Sequence, residues 1–159
     1  MMKIKDVFGA AVFILVCLSA GIIGSFYTYP AIPVWYAGLN KPFFSPPNWI
    51  FGPVWTILYV MMGISAYMIW KKRKESLEAA KGLSIFALQL ILNTMWSVVF
   101  FGFRDPFFAF LLIIVLWSAI LLTIFQFRKL SVNAALLLGP YIIWVTFAAL
   151  LNAAVWLMN

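Results

Sequence analysis

Charged side chains fall in short clusters along this chain, and the intervals between clusters are apolar for nearly the same length each time. The charge-free stretches run over Val7–Phe26, Trp49–Trp70, Gly82–Phe101, Phe107–Phe127 and Leu136–Met158. At a helical rise of about 1.5 Å per residue, a run of about 20 residues covers roughly the 30 Å of a bilayer's hydrocarbon core. The runs are apolar on every face and lack the alternation of an outer-membrane barrel strand. The pattern predicts an all-α polytopic membrane protein, one domain over residues 1–159, built as a bundle of five transmembrane helices.

The connections are as distinctive as the spans. Residues 29–48 hold five prolines and form the longest connection; "KKRKESLEAAK" at 71–81, "GFRDP" at 102–106 and "FRKLSVNAA" at 127–135 make the others. Ser131 is placed to cap the last helix, and Pro140 to kink it about two turns in. If five spans alternate in direction, the amino terminus and the 71–81 and 127–135 connections share one side. That side carries Lys3, Lys5, Lys71, Lys72, Arg73, Lys74, Lys81, Arg128 and Lys129, and the other only Lys41 and Arg104. The positive-inside rule then puts the amino terminus in the cytoplasm and the 29–48 connection outside, with helical spans favouring a bacterial inner membrane. The first run is long for a signal-peptide core and "CLSAG" is a poor cleavage site, so it is read as a retained helix.

Composition removes whole classes of function. With 66% hydrophobic and 9% charged residues and a mean hydropathy of +1.06, a soluble domain is excluded. The net charge of +7 sits at span ends, not on a basic and aromatic surface, so it speaks for topology and against nucleic acid. Histidine is absent, which removes the commonest general base and metal ligand, and Cys17 is the single cysteine, so no metal site is expected. No Asp or Glu lies within a span, which speaks against an intramembrane proton relay and against a hydrolase using paired carboxylates.

Aromatic and amide side chains remain. Trp35, Trp49, Trp70 and Trp156 lie near span ends, where an interfacial belt accounts for them; Trp55, Trp96, Trp117 and Trp144 lie deeper. Helical spacing puts Trp55, Tyr59 and Met62 on one face of the second span, Gln89, Asn93, Trp96 and Phe100 on one face of the third, and Trp144, Ala148, Leu151 and Asn152 on one face of the fifth. These stripes have two readings: packing rings with amides that glue helices together, or the walls of a cavity. A cavity would need a lid, and the proline-rich connection supplies one, with Lys41, Pro42, Pro46 and Pro47 in it and Lys41 and Tyr36 placed to meet a carboxylate.

Three stretches carry a resemblance: "WYAGLNKPFFSPPNWIFGPVWTILYVMMG" at 35–63, "LQLILNTMWSVVFFG" at 88–102 and "YIIWVTFAALLNAAVW" at 141–156. They resemble the TspO or translocator proteins, also called tryptophan-rich sensory proteins and peripheral-type benzodiazepine receptors. The resemblance implies a homodimer of five-helix subunits whose pocket takes tetrapyrroles such as protoporphyrin IX and benzodiazepine-site drug-like ligands, with no cofactor required. It carries pocket roles to Tyr36, Trp55, Asn93, Trp144 and Ala148. Stripes and resemblance together give an expected ligand-binding set of Tyr36, Trp55, Asn93, Trp96, Phe108, Trp144, Ala148 and Leu151. The sterol-recognition segment of animal relatives needs a tyrosine and a basic residue where this chain has Ala153 and Leu157, so cholesterol drops from the expected ligands. Phe44 and Ser45 stand where animal relatives have tryptophan and histidine.

The activity that the resemblance suggests is light- and oxygen-dependent breakdown of protoporphyrin IX, with Trp55 and Trp144 as oxidisable, catalytic rings. A porphyrin transporter and a non-catalytic ligand-sensing receptor are the alternatives. The sequence has neither the repeats nor the intramembrane ions that drive secondary transporters.

Overall fold

A computed structural model describes residues 4–74 and 76–159; Lys3, one of the nine basic residues placed on one side, lies outside the described residues. The described chain is helical: α1 Ile4–Ala31, α2 Phe51–Trp70, α3 Leu77–Ser97, α4 Pro106–Leu130, α5 Val132–Leu137 and α6 Gly139–Met158. Five segments are long and apolar enough to cross a membrane, the last of them spanning α5 and α6 together. The protein is an integral multi-pass membrane protein.

Local chemistry moves the helix ends away from the edges of the apolar runs. Helix α3 starts at Leu77 and not at Gly82, because the Ser76 hydroxyl accepts the Glu78 N–H at 3.2 Å and Glu78 sits in the electropositive first turn. Helix α1 runs through Pro30 to Ala31 and takes residues 29–31 from the expected connection. A proline in the last turn removes one N–H only, and the Ile32 N–H still reaches the Thr28 carbonyl at 3.1 Å. Asp105 caps α4 through the Phe107 and Phe108 N–H groups at 3.1 and 3.0 Å, with Pro106 at the first helical position. Arg104 turns the chain into that cap with φ of 58°.

Ser131 caps α5 through the Ala134 N–H at 3.3 Å. The kink expected at Pro140 is a break: the chain leaves the helix at Leu138 and restarts as α6 with Pro140 in its first turn. Helix α3 loosens at its far end into a π-helical turn over Val98–Gly102, which seats Phe100 and Phe101 beside Trp96 at centroid distances of 5.3 and 6.1 Å.

The helices close a ring in which α1 packs on α2 and α3, α3 on α4, α4 on α6, and α5 and α6 on α2. Glycines set the closeness of α1 and α2. A Cβ on Gly63 would lie 2.5 Å from the Ile14 Cα, and one on Gly21 would lie 2.4 Å from the Tyr59 ring, so neither contact admits a larger residue. Polar groups inside the ring pair with each other. Tyr59 Oη donates to Asn93 Oδ1 at 2.6 Å, Asn93 Nδ2 donates to Tyr141 Oη at 3.1 Å, and Tyr141 Oη donates to Gln89 Oε1 at 2.7 Å. This chain ties α2, α3 and α6 at mid-bundle, where a lone amide or phenol would be costly.

The three basic segments meet at one end of the bundle. Lys71 pairs with Asp6 at 3.0 Å, Lys72 Nζ donates to the Leu130 carbonyl, and Glu78 accepts from Gln126 and pairs with Lys81 and Lys129 at 3.3 and 4.0 Å. Asp6 holds the Lys71 ammonium above its ordinary pKa.

Candidate functional site

Toward the opposite end, the ring encloses a cavity of about 570 Å³, within the range of small-molecule sites. Helix α2 gives it Phe51, Trp55 and Tyr59; α3 and its π-turn give Trp96, Phe100 and Phe101; α6 gives Trp144, Ala148, Leu151 and Asn152. Helix α1 closes the fourth side with small and hydroxyl residues, Gly21, Gly24, Ser25 and Thr28. Among the described residues no charged side chain reaches the wall.

The ring faces are held in fixed attitudes. Trp55 stacks on Tyr59 at 5.6 Å and meets Tyr141 edge-on at 6.2 Å, so the polar chain beneath it acts as a floor. Trp96 donates its indole N–H to Asn152 Oδ1 at 3.0 Å, and Asn152 Nδ2 donates to the Pro106 carbonyl at 2.8 Å, tying α3, α6 and the start of α4. Trp144 packs against Phe51 at 5.9 Å and Phe147 at 5.5 Å, and its buried indole N–H has no partner among the described residues.

The connection from Ile32 to Ile50 forms the roof. Tyr36 is buried beneath it, with its ring against Phe100 and Phe101 at 6.3 and 5.8 Å. Burial raises the Tyr36 phenol above its ordinary pKa, with Ser45 acting the other way. The roof is fastened at its far edge by a reciprocal clasp. The Asn40 N–H donates to Asn159 Oδ1 at 3.0 Å, Asn159 Nδ2 returns to the Asn40 carbonyl at 3.0 Å, and Asn40 Nδ2 donates to the Met158 carbonyl at 3.2 Å.

Of the expected ligand-binding residues, the structure brings Tyr36, Trp55, Trp96, Trp144, Ala148 and Leu151 to this cavity. Asn93 and Phe108 are not on its wall. Asn93 is buried within the floor with both ends of its amide bonded to tyrosines, and Phe108 is 60% exposed on α4, the spanning helix that contributes no described residue to the wall. The lid residues Lys41, Pro42, Pro46 and Pro47 lie in the roof connection but off the wall. Lys41 is turned onto Tyr36, donating to its carbonyl at 2.9 Å with the ammonium 4.6 Å above its ring, and does not point a charge into the cavity. Among the deeper tryptophans Trp117 stands apart, donating to Thr146 Oγ1 at 2.8 Å between α4 and α6. Sequence reasoning missed the α1 wall; its signal is the run of small residues Gly21, Gly24 and Ser25 at helical spacing.

Residues 13–157 match the model of the TspO/MBR family. The chain is 44% identical over 146 residues to the tryptophan-rich protein TspO of Archaeoglobus fulgidus, covering 92% of this chain and 94% of that one. It is 38% identical over 138 residues to the human translocator protein, covering 86% and 82%. With the tryptophan-rich sensory protein of Cereibacter sphaeroides it shares 39% over 119 residues, covering 74% and 72%.

Proposed function

Because the chain belongs to the TspO/MBR family, we propose that its cavity binds tetrapyrroles such as protoporphyrin IX and promotes their light- and oxygen-dependent degradation. The observation that carries the reading is the set of rings, Tyr36, Trp55, Trp96 and Trp144, around a charge-free cavity of about 570 Å³. A large, flat, aromatic ligand gains from ring faces on several sides, with offset stacking or edge contacts worth about 0.5–1.5 kcal/mol each. The cavity's lack of charge suits the macrocycle and leaves its acidic side chains outside. Other flat lipophiles, benzodiazepine-site drugs among them, fit the same walls. We place the amino terminus in the cytoplasm of a bacterial cell whose inner membrane holds the protein, as a homodimer.

In this reading the light-excited pigment is both sensitiser and substrate, and dioxygen is the oxidant. Trp55 and Trp144, on the cavity wall, each lend one electron to the excited pigment; the reduced pigment adds dioxygen, and the adduct returns the electron to the indole, so both oxygen atoms end on the product and the protein is unchanged. Trp144 has no acceptor for its indole proton among the described residues, so a one-electron-oxidised Trp144 keeps that proton and is readily reduced again. Trp55 stacks on a phenol, which extends the set of oxidisable rings to Tyr59.

The test is the absorbance of protoporphyrin IX mixed with purified protein, in light and in darkness, beside Trp55→Phe and Trp144→Phe. Conversion to a new species that needs light, dioxygen and both indoles supports the catalytic reading. Binding without bleaching leaves a receptor or carrier and removes the catalytic part. Absence of binding removes the reading entirely.

A further inference from the structure

The cavity has a floor and a roof, and its walls are uneven. The hydrogen-bonded chain of Tyr59, Asn93 and Tyr141 floors it toward mid-bundle, and the connection that roofs it is clasped to the end of α6. Between α1 and α2, however, wall residues are also surface residues. Ile22, Ser25 and Tyr29 of α1, Gly52 and Thr56 of α2, and Trp49 in the 3-10 turn just before α2 all line the cavity and are all exposed. The α1 triplet follows an i, i+3, i+7 spacing and is one helix edge; Gly52 and Thr56, at i and i+4, are an edge of α2. From Ala31 down to Ile22 the slot is about 13 Å deep, which keeps it within one leaflet. Below it the two helices are in contact through Gly21 on Tyr59 and Gly63 on Ile14, which fixes the lower end of the slot.

Hydrogen-bonding capacity along the slot is uneven. Ser25, Thr28 and Thr56 donate their hydroxyl hydrogens to carbonyls of their own helices at 2.7, 3.1 and 2.9 Å. The Tyr29 phenol, the Asn48 amide and the Trp49 indole, at the upper lip, make no side-chain hydrogen bond to another described residue. Free donors therefore gather where the slot meets the headgroup region, and the deeper edges offer only apolar surface and acceptors.

Resting on the proposed ligand class, we propose that the cavity is filled sideways from the bilayer, between α1 and α2, by an amphiphile whose flat apolar body enters while its anionic end stays at the lip on Tyr29, Asn48 and Trp49. Such a ligand never crosses the aqueous roof. Its occupancy follows its concentration in the leaflet, and its carboxylates exchange water for three neutral donors without being buried. Lys41, fastened to Tyr36, plays no part in this capture.

The experiment uses the full chain in phosphatidylcholine vesicles, with protoporphyrin IX uptake followed by quenching of protein tryptophan fluorescence after mixing with porphyrin-loaded vesicles. Gly52→Trp places a bulky ring in the slot from a position where an added Cβ meets no atom within 4 Å, and helical circular dichroism of the variant checks that it folds. Asn159→Ala unfastens the roof, because both bonds of the clasp to the Asn40 backbone come from the Asn159 amide. Side entry predicts that Gly52→Trp slows uptake by about tenfold or more while Asn159→Ala leaves the rate unchanged, a kinetic effect of access. The reverse pattern, with Asn159→Ala faster and Gly52→Trp unchanged, overturns side entry and leaves the ligand class standing. Failure of the unsubstituted protein to take up porphyrin overturns the ligand class and the entry route together. For the lip, Tyr29→Phe with Asn48→Ala is expected to weaken the free acid several-fold and to leave protoporphyrin IX dimethyl ester unaffected, because only the acid has a charge to be held. Equal weakening of both, or of neither, overturns the lip assignment.

Discussion

Substituting Tyr59 and Asn93 singly and together tests whether the amide belongs to the floor or to the ligand. Tyr59→Phe keeps the ring that stacks on Trp55 and removes only the hydroxyl, leaving Asn93 Oδ1 without its 2.6 Å donor in a site 3% exposed. In a water-soluble core an orphaned group of this kind costs about 1–3 kcal/mol. In a bilayer the separated helices find other partners, and measured interhelical hydrogen bonds average about 0.6 kcal/mol with a maximum near 1.7. The second figure governs here, and the short distance puts the expected loss near its upper part, at about 1 kcal/mol. Asn93→Leu breaks two bonds, and although Tyr141 keeps Gln89 as acceptor, Tyr59 is left with an unpaired hydroxyl; about 2 kcal/mol is expected. Once Asn93 is leucine the Tyr59 hydroxyl has nothing to lose, so the double variant should cost about 1 kcal/mol less than the sum of the singles. The assay is reversible unfolding in mixed micelles against detergent mole fraction, read by helical circular dichroism, with protoporphyrin IX affinity measured on the same samples. A coupling indistinguishable from zero refutes the hydrogen bond. A Asn93→Leu protein of unchanged stability that has lost porphyrin affinity refutes the floor and puts the amide on the ligand.

Other outcomes follow from single features. Trp55→Ala removes a stacked ring from the wall and should weaken porphyrin binding up to about tenfold, whereas Trp117→Phe, off the cavity, should change affinity little; fluorescence titration compares them. Gly63→Ala forces α1 and α2 apart against backbone and is expected to cost about 1–3 kcal/mol of unfolding free energy, while Gly52→Ala, with open space around it, stays within about 0.5. Burial raises the Tyr36 phenol, so its contribution to stability is complete below the ordinary tyrosine pKa and is lost as pH rises through its own higher value. Tyrosinate absorbance should lose one late-titrating phenol in Tyr36→Phe relative to the unsubstituted protein, and that variant's stability should fall less in the same alkaline window.

The five spans were legible because a bilayer demands one thing of every residue in a run, and uniform apolarity needs no knowledge of neighbours. Their ends were less so, being set by groups outside the apolar pattern: the Ser76 cap draws α3 five residues forward, and Pro30 fails to stop α1 where a stop was expected. The break at Leu138 divides a run whose composition does not change there. For the site, helical spacing grouped Trp55, Trp96, Trp144, Ala148 and Leu151 on faces that do meet one cavity. The same spacing put Asn93 with them, because periodicity says which way a side chain points and not whether space or another side chain lies there. Tyr59 and Tyr141 fill that space. Phe108 could not be judged from its own helix, since the order of helices around the ring leaves α4 without a wall. The α1 wall escaped notice for the opposite reason, since small residues such as Gly21 and Gly24 shape the site by what they leave out.

Neutrality of the wall has a consequence for selectivity. Charge would single out a ligand by its ions, and would impose a desolvation cost in a low-dielectric cavity. Here the hydrogen-bonding groups around the site are largely paired within the protein, Trp96 with Asn152 and Tyr59 with Asn93, so few directional demands face inward. What remains is shape and ring contact, which favours flat apolar bodies over one particular substituent. Selection by chemical detail is then left to the lip between α1 and α2, where Tyr29, Asn48 and Trp49 keep free donors. On the proposed ligand class and entry route, affinity for the macrocycle and choice among its acidic and esterified forms reside in different parts of the protein. Substitutions at Trp55 or Trp144 should weaken acid and ester alike, and substitutions at the lip should separate them; a lip variant that weakened the two equally would show that a single surface does both.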